Sequence, residues 1–162
     1  PALTHGQIVV FRYPVDPAQT FTKRIVALPG DRLRIRDKKL FRNGAPVPEP
    51  YVRHATDYFD SFRDNFPADP NVRLPNPAWA AELAAATRDG ELLVPPGKYF
   101  VLGDNRDLSL DSRYWGFLDA AAILGTPALI YYSATSPTSE LPRLTPFWQT
   151  TLHWQRFFTI PR

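Results

Sequence analysis

Short apolar runs separated by turn residues dominate the first fifty positions and predict β-strands. Residues 8–13 and residues 21–28 are two such runs, each closed by a proline. Leu33 and Ile35 alternate with arginines, as expected for a strand with one buried face. Asn43-Gly44 is a strong signal for a two-residue hairpin turn. This pattern predicts an antiparallel meander.

The pattern changes after position 50, where polar residues and prolines surround two short helical patterns. The first covers residues 55–65, and the second covers residues 77–87 with Asn76-Pro77 as a cap and first-turn pair. Apolar β composition returns at residues 97–102 and 122–132. A β core interrupted by an insertion explains this order.

These patterns together predict the fold class and the domain organisation. The fold is expected to be mainly β, an antiparallel coiled sheet with barrel-like character and a small, partly helical insertion. The expected parts are residues 1–50 and 95–133 for the core, 51–94 for the variable insertion and 134–162 for an aromatic-rich C-terminal segment. In that last segment, residues 147–158 are dense in aromatic rings. The rings either cap the core or form a belt at a membrane interface.

Composition limits the chemistry. The 162 residues include no cysteine, which excludes disulfides, thiolate metal sites and a thiol nucleophile. A net charge of +3 without a basic run gives no support for nucleic-acid binding. No apolar stretch approaches the roughly 20 residues of a membrane span. The absence of methionine leads us to expect a longer translated protein upstream of Pro1.

One polar segment stands out directly after the apolar residues 99–102. It reads Gly-Asp-Asn-Arg-Asp-Leu-Ser-Leu-Asp-Ser-Arg over residues 103–113, and its composition alone is typical of a surface turn. Two upstream segments favour a functional loop instead: residues 6–14, and residues 22–31 with the pattern Lys-Arg-x-x-x-Leu-Pro-Gly-Asp. Together the three segments resemble the conserved boxes of type I signal peptidases, membrane-bound serine proteases that remove secretory signal peptides. The resemblance covers the N-terminal third and residues 95–133.

The resemblance implies roles for residues of these boxes. Lys23 matches the general base of a serine-lysine dyad, and Ser109 matches the hydroxyl that orients the lysine amine. The residues implied to support the site are Asp104, Asn105, Asp111 and Arg113, the last two as a salt bridge. The implied substrate groove is lined by Val10, Thr20 and Thr22, with Phe21 packing on the lysine stem.

The residues around Lys23 bear on its chemistry independently of the resemblance. A lysine has a pKa of about 10.4 in model peptides, so a general base needs an apolar environment that disfavours the ammonium form. Phe21, Ile25 and Val26 flank Lys23, and a neighbouring apolar strand can pack on it. From this segment alone, a solvent-exposed lysine is the commoner outcome.

The resemblance implies no metal and no cofactor. It also implies substrates, a location and a missing nucleophile. The substrates would be preproteins carrying signal peptides, cleaved at the extracytoplasmic surface of a membrane by an anchored protein. The family nucleophile lies in a Ser-Met-x-Pro-Thr type segment, which none of the serines here matches, and Gln7 stands where the family usually has an acid. We therefore expect the 162 residues alone to be inactive.

Two alternatives remain open at the level of sequence. A non-catalytic relative could use the same scaffold to bind peptides or to assist surface-protein assembly. A self-cleaving repressor of the same serine-lysine group would need a DNA-binding segment, and none is visible in the sequence.

Overall fold

The computed structural model describes residues 2–68 and 77–129, together with residues 134–135, 151–152, 155 and 159–160. The chain divides into two compact units, Pro1–Thr126 and Pro127–Arg162. In the described part the strands are, in chain order, β1 (Ile8–Arg12), β2 (Thr20–Ala27), β3 (Arg32–Arg36), β4 (Lys39–Arg42), β5 (Ala45–Pro46), β6 (Thr87–Arg88), β7 (Glu91–Leu93), β8 (Lys98–Leu102), β9 (Leu118–Asp119), β10 (Ile123–Gly125), β11 (Ala134–Thr135) and β12 (Thr151–Leu152). The helices are α1 (Pro77–Ala86), α2 (Ser112–Trp115) and a 3-10 turn at Ala120–Ala122.

The first unit contains two antiparallel sheets. One has the strand order β10-β1-β2-β8-β9 and the other the order β5-β4-β3-β7-β6, and neither closes into a barrel within the described residues. The chain passes from the first sheet to the second at Pro29-Gly30, where Gly30 adopts a positive φ of 89° that favours glycine. Its amide donates to the Val94 carbonyl at 2.9 Å. In the second unit β11 pairs with β12.

The strands that carry the motifs are fixed by burial of alternate side chains. Val9, Phe11, Ile25 and Val101 of the first sheet are fully buried in one cluster, together with Trp115 of α2. Burying a side chain of this size stabilises the fold by roughly 1.5–3 kcal/mol. This cluster holds β1, β2 and β8 in place, and these strands carry Lys23 and the start of the polar loop.

The second sheet packs its inner face against α1. Leu33, Leu92 and Phe66 are fully buried there, with Trp79 and Leu83 of the helix almost so. The alternation predicted at residues 33 and 35 is therefore correct. The turn at Asn43-Gly44 has positive φ angles of 53° and 82°, as a type I′ hairpin requires.

The predicted fold class, mainly antiparallel β with a small helical part, is confirmed. The single meander is wrong, because the first fifty residues supply strands to two different sheets. The predicted strand over residues 122–132 is shorter in the part that is described, ending at Gly125. The four-part domain division stays a prediction, and most of the aromatic residues 147–158 lie outside the described part of the chain.

The predicted helix at residues 55–65 is also wrong, and side-chain hydrogen bonds explain why. The Asp60 carboxylate accepts bonds from the amides of Phe62 and Arg63, both at 2.9 Å, and the Thr56 hydroxyl accepts from the amide of Tyr58 at 3.0 Å. Such local bonds offer the backbone an alternative to helical hydrogen bonds. The segment forms turns instead of a helix.

Candidate active site

Lys23 lies in β2 opposite Val9 and is half-buried. Its Nζ is 5.6 Å from the centroid of the Phe21 ring, so an apolar wall stands beside the amine. Burial lowers the pKa of Lys23 below its ordinary value, and Arg113 adds to the decrease while Asp111 and Asp104 oppose it. The neutral amine, which can accept a proton, is therefore more accessible here than on an exposed lysine.

Gly103, the first residue after β8, brings Ser109 and Lys23 together. A Cβ built on Gly103 would overlap the Ser109 hydroxyl and would lie 3.7 Å from Cδ of Lys23. The Ser109 Oγ is buried and has no hydrogen-bond partner among the described residues. The side chains of Ser109 and Lys23 therefore both lie on the side of Gly103 where any other residue would carry its Cβ atom.

A buried, bidentate salt bridge joins Asp111 and Arg113 at the end of the polar loop. The Arg113 Nε and Nη2 atoms donate to the two carboxylate oxygens of Asp111 at 2.8 and 2.7 Å. Asp111 also accepts from the amide of Gly103 at 3.1 Å and caps α2 through the amide of Arg113. Side chains buried this completely are held far more rigidly than an exposed ion pair.

Asp104 and Asn105, the other two predicted supporting residues, differ in their surroundings. Asp104 accepts two hydrogen bonds from the buried Arg24, Nε to Oδ1 at 2.8 Å and Nη2 to Oδ2 at 2.7 Å. Arg24 also donates to the Gly6 carbonyl at 2.7 Å. Asn105 is exposed and lies beside Arg53 in a single parallel β-bridge.

The residues predicted to line the groove share one strand pair. Val10 is the register partner of Thr22, so these side chains lie on one face, whereas Phe21 and Lys23 lie on the other. Thr20 is exposed at the start of β2. Pairing of β2 with β8 begins at Arg24, which leaves residues 20–23 without a described strand on that side. If an extended peptide paired with this edge of β2, its side chains would alternate between the two faces of the sheet.

Sequence reasoning missed the acids and arginines that connect residues 49–63 to the polar loop. Arg106, 3% exposed, forms a fork with Glu49 at 3.0 and 2.6 Å. The Asp107 side chain is fully buried and lies near Arg63 of the insertion. Spacing along the sequence gave no signal for these pairs, because their partners are 44 to 57 positions apart.

Asp107 has the most strongly perturbed carboxylate of the loop. Burial alone would raise its pKa, but hydrogen bonds from the Thr56 amide at 3.0 Å and from His54 at 3.2 Å outweigh that effect, with the charges of Arg63 and Lys38 assisting. The pKa of Asp107 is lowered to about 2.

This carboxylate should make stability depend on acid pH. The pKa of Asp107 is lower in the folded state than its value of about 3.9 in the unfolded state, so its ionised form stabilises the fold at pH values above about 3.9. This contribution is lost as the pH falls towards 2. Wild type should lose roughly 2 kcal/mol more unfolding free energy than Asp107→Asn on going from about pH 5 to about pH 2. Urea unfolding of both proteins measures this, and parallel pH curves would contradict it.

A cavity in the described part of the chain is lined mainly by apolar residues. It has a volume of about 620 Å³, lies between α1 and β7 and is lined by Glu82, Ala85, Ala86, Leu93, Val94, Pro29, Gly30, Pro95 and Pro96. None of the predicted site residues lines it. In residues 2–68 and 77–129, and in the few described positions beyond, no group of His, Asp or Glu is arranged to hold a metal ion. No helix in the same part of the chain is long and apolar enough to cross a membrane.

Comparison with known proteins shows the family of this chain. The family model described as "Signal peptidase, peptidase S26" matches residues 2–132. The chain belongs to the signal peptidase family of serine peptidases.

Individual relatives give the same result. Signal peptidase I of Pseudomonas fluorescens is 39% identical over 124 residues, covering 68% of this chain and 39% of that protein. Signal peptidase I U of Bacillus subtilis is 34% identical over 128 residues, covering 78% of this chain and 57% of that protein. The crystal structure of a signal peptidase I from Enterococcus faecalis matches with a TM-score of 0.52 and 31% identity, over 78% of this chain and 97% of that one. The chain thus spans about two fifths to three fifths of the curated relatives' length.

Proposed function

We propose that this chain is the catalytic core of a signal peptidase I in which Lys23 is the general base and Ser109 orients it. The packing of both side chains against Gly103, with a desolvated amine, is the observation that carries the proposal. A buried hydroxyl beside a neutral amine can accept or donate one hydrogen bond and so fix the direction of its lone pair.

The nucleophile is proposed to be a serine outside these 162 residues. Ser112 is fully buried and its hydroxyl accepts from the Val101 amide at 3.1 Å, which ties it to the core. Ser61 lies in an exposed turn of the insertion. The reaction would begin with proton transfer from the nucleophilic hydroxyl to the Lys23 amine as the oxygen attacks the carbonyl carbon of the cleaved peptide bond. The C–N bond would then break, and the Lys23 ammonium would give its proton to the leaving amine of the mature chain, which leaves an acyl-enzyme. Water would then cleave the acyl-enzyme with the same amine as base.

The substrate is proposed to be a preprotein whose cleavage region binds as an extended strand. The edge of β2 over residues 20–23, which has no strand partner in the described part of the chain, supports this mode because its backbone groups could pair with an added strand. Val10 and Thr22 on one face and Phe21 on the other would contact the small side chains before the cleaved bond. We place this reaction at the extracytoplasmic surface of a membrane to which the whole protein is anchored.

Cleavage of a preprotein by the full-length protein tests this function. Purified full-length protein in detergent should release the mature domain of a preprotein that has alanine at the first and third positions before the cleavage point. A matched preprotein with bulky residues at those two positions should remain uncut. The 162-residue chain alone should cut neither. Binding of both preproteins without any cleavage would instead favour a peptide-binding role.

A further inference from the structure

The segment around Ser109 has little packing of its own. Leu108 is 75% exposed and Leu110 is 46% exposed, so the two neighbours of Ser109 point into solvent while its hydroxyl is buried. Side chains this exposed do not fix a loop. The position of Ser109 must therefore be set by anchors at either end of the segment.

The anchor after Ser109 belongs to the family motif. Asp111 is fully buried and is held by the Arg113 fork and by the Gly103 amide. Arg113 also donates from Nη2 to the carbonyl of Arg106 at 2.8 Å. These bonds fix the residue two positions after Ser109.

The anchor before Ser109 comes from the insertion. The Asp107 carboxylate accepts from the amide of Thr56 at 3.0 Å and contacts His54 Nδ1 at 3.2 Å. Lys38 lies 3.6 Å away at the edge of the second sheet and donates to the Thr56 carbonyl at 2.9 Å. The residue two positions before Ser109 is thus held by segments remote from it in sequence.

Arg63 of the insertion connects both anchors. Its Nη1 donates to the Asp107 carbonyl at 3.2 Å, and its Nη2 is 3.5 Å from the Asp107 carboxylate. Its own carbonyl accepts from Nη1 of Arg113 at 3.4 Å. A two-bond fork to Asp64, both bonds at 2.8 Å, fixes the guanidinium, and the residue is only 6% exposed.

We propose that Arg63 is a positioning residue that sets the place of Ser109 against Lys23 through Asp107 on one side and Arg113 on the other. The proposal rests on the role proposed for Ser109 above. It gives a residue of the variable insertion a part in positioning the site. The Arg63 guanidinium is fixed by its bidentate salt bridge to Asp64 and holds the main-chain carbonyl of Asp107. This fixes the backbone of a loop whose exposed leucines cannot fix it.

Kinetics of the full-length protein separate positioning from general support of the fold. Arg63→Gln should lower kcat for preprotein cleavage about tenfold or more, because small displacements in an active site cost rate. KM should stay within about threefold, since none of the hydrogen bonds described for Arg63 involves β2. Arg53→Gln is the matched control, because it also removes one positive charge from an arginine of the insertion. The Arg53 residue is exposed, and its hydrogen bonds with the loop are made by its main chain. That variant should match wild type.

A double-mutant cycle with Ser109→Ala supplies the decisive comparison. If Arg63 acts through Ser109, Arg63→Gln should cause no further loss of kcat once the hydroxyl is absent. Equal losses in the presence and absence of the hydroxyl would overturn the proposal. Asp107→Asn, which preserves shape and leaves the Arg63–Asp64 fork intact, should repeat the pattern if Arg63→Gln folds poorly.

Hydrogen exchange gives a readout that does not depend on activity. In the 162-residue chain, amides of residues 103–113 should exchange at least about tenfold faster in Arg63→Gln than in Arg53→Gln, because loss of an anchor opens the loop. Unchanged exchange would overturn the proposal whatever the kinetics. Faster exchange together with an inactive wild-type protein would support the anchor and contradict the proposed peptidase function.

Discussion

Lys23→Met should lower kcat for preprotein cleavage by at least about a thousandfold in the full-length protein. Methionine keeps the apolar stem but removes the amine that takes the proton from the nucleophile, and loss of a general base costs two to four orders of magnitude. KM should change little, because the backbone edge of β2 is retained. The variant should also be at least as stable as wild type at neutral pH, since burial disfavours the ammonium form of Lys23.

The control for this variant is Lys39→Met, which replaces an exposed lysine of β4. It should cleave at the wild-type rate. Preprotein cleavage by Lys23→Met at more than a tenth of the wild-type rate would exclude Lys23 as the base. Equal loss in Lys39→Met would point to a general effect of lysine removal on folding or on membrane association.

Gly103→Ala should lower kcat about a hundredfold and destabilise the fold by about 1–3 kcal/mol. An alanine Cβ would overlap the Ser109 hydroxyl and lie 2.5 Å from its Cβ, so Ser109 must move away from Lys23. Overpacking of this kind costs stability, and displacement of an orienting group by about an ångström costs rate. Steady-state kinetics and thermal unfolding measure the two effects.

Two further variants identify the cause of the Gly103→Ala effect. Gly125→Ala adds the same methyl group in β10, where nothing lies within 4 Å, and should be close to neutral in both measurements. Combining Gly103→Ala with Ser109→Gly removes the clash, so stability should recover while activity does not. Recovery of activity in the double variant would show that the hydroxyl of Ser109 has no role.

The strands β3 and β4 could be predicted from the sequence because local signals determine them. Leu33 and Ile35 alternate with charged residues, and Asn43-Gly44 has the chemistry of its turn. The division of the strands between two sheets could not be predicted, since it depends on contacts of Gly30 with the distant Val94. The helix expected at residues 55–65 failed for a different reason, because the side chains of Thr56 and Asp60 make local hydrogen bonds with the backbone that compete with helical ones.

The residues of the site that lie in sequence motifs could be predicted, whereas their contacts with distant segments could not. The motifs gave the positions of Lys23, Ser109, Asp111 and Arg113, and the structure places these four residues in one region. The catalytic and groove roles assigned to the motif residues remain predictions. The contacts of Arg63 with the loop span 44 to 50 positions and follow from no local pattern. Remote ion pairs are decided by tertiary packing, which periodicity does not describe.

The pKa of Lys23 in the folded 162-residue chain tests the central claim most directly. The chain has only four lysines, so carbon-13 dimethylation gives few NMR signals, and Lys23→Met assigns the one of interest. The same modified chain in strong denaturant provides the unfolded reference. We expect Lys23 to titrate below that reference because burial disfavours its charged form. Titration at or above the reference value would contradict its role as a general base.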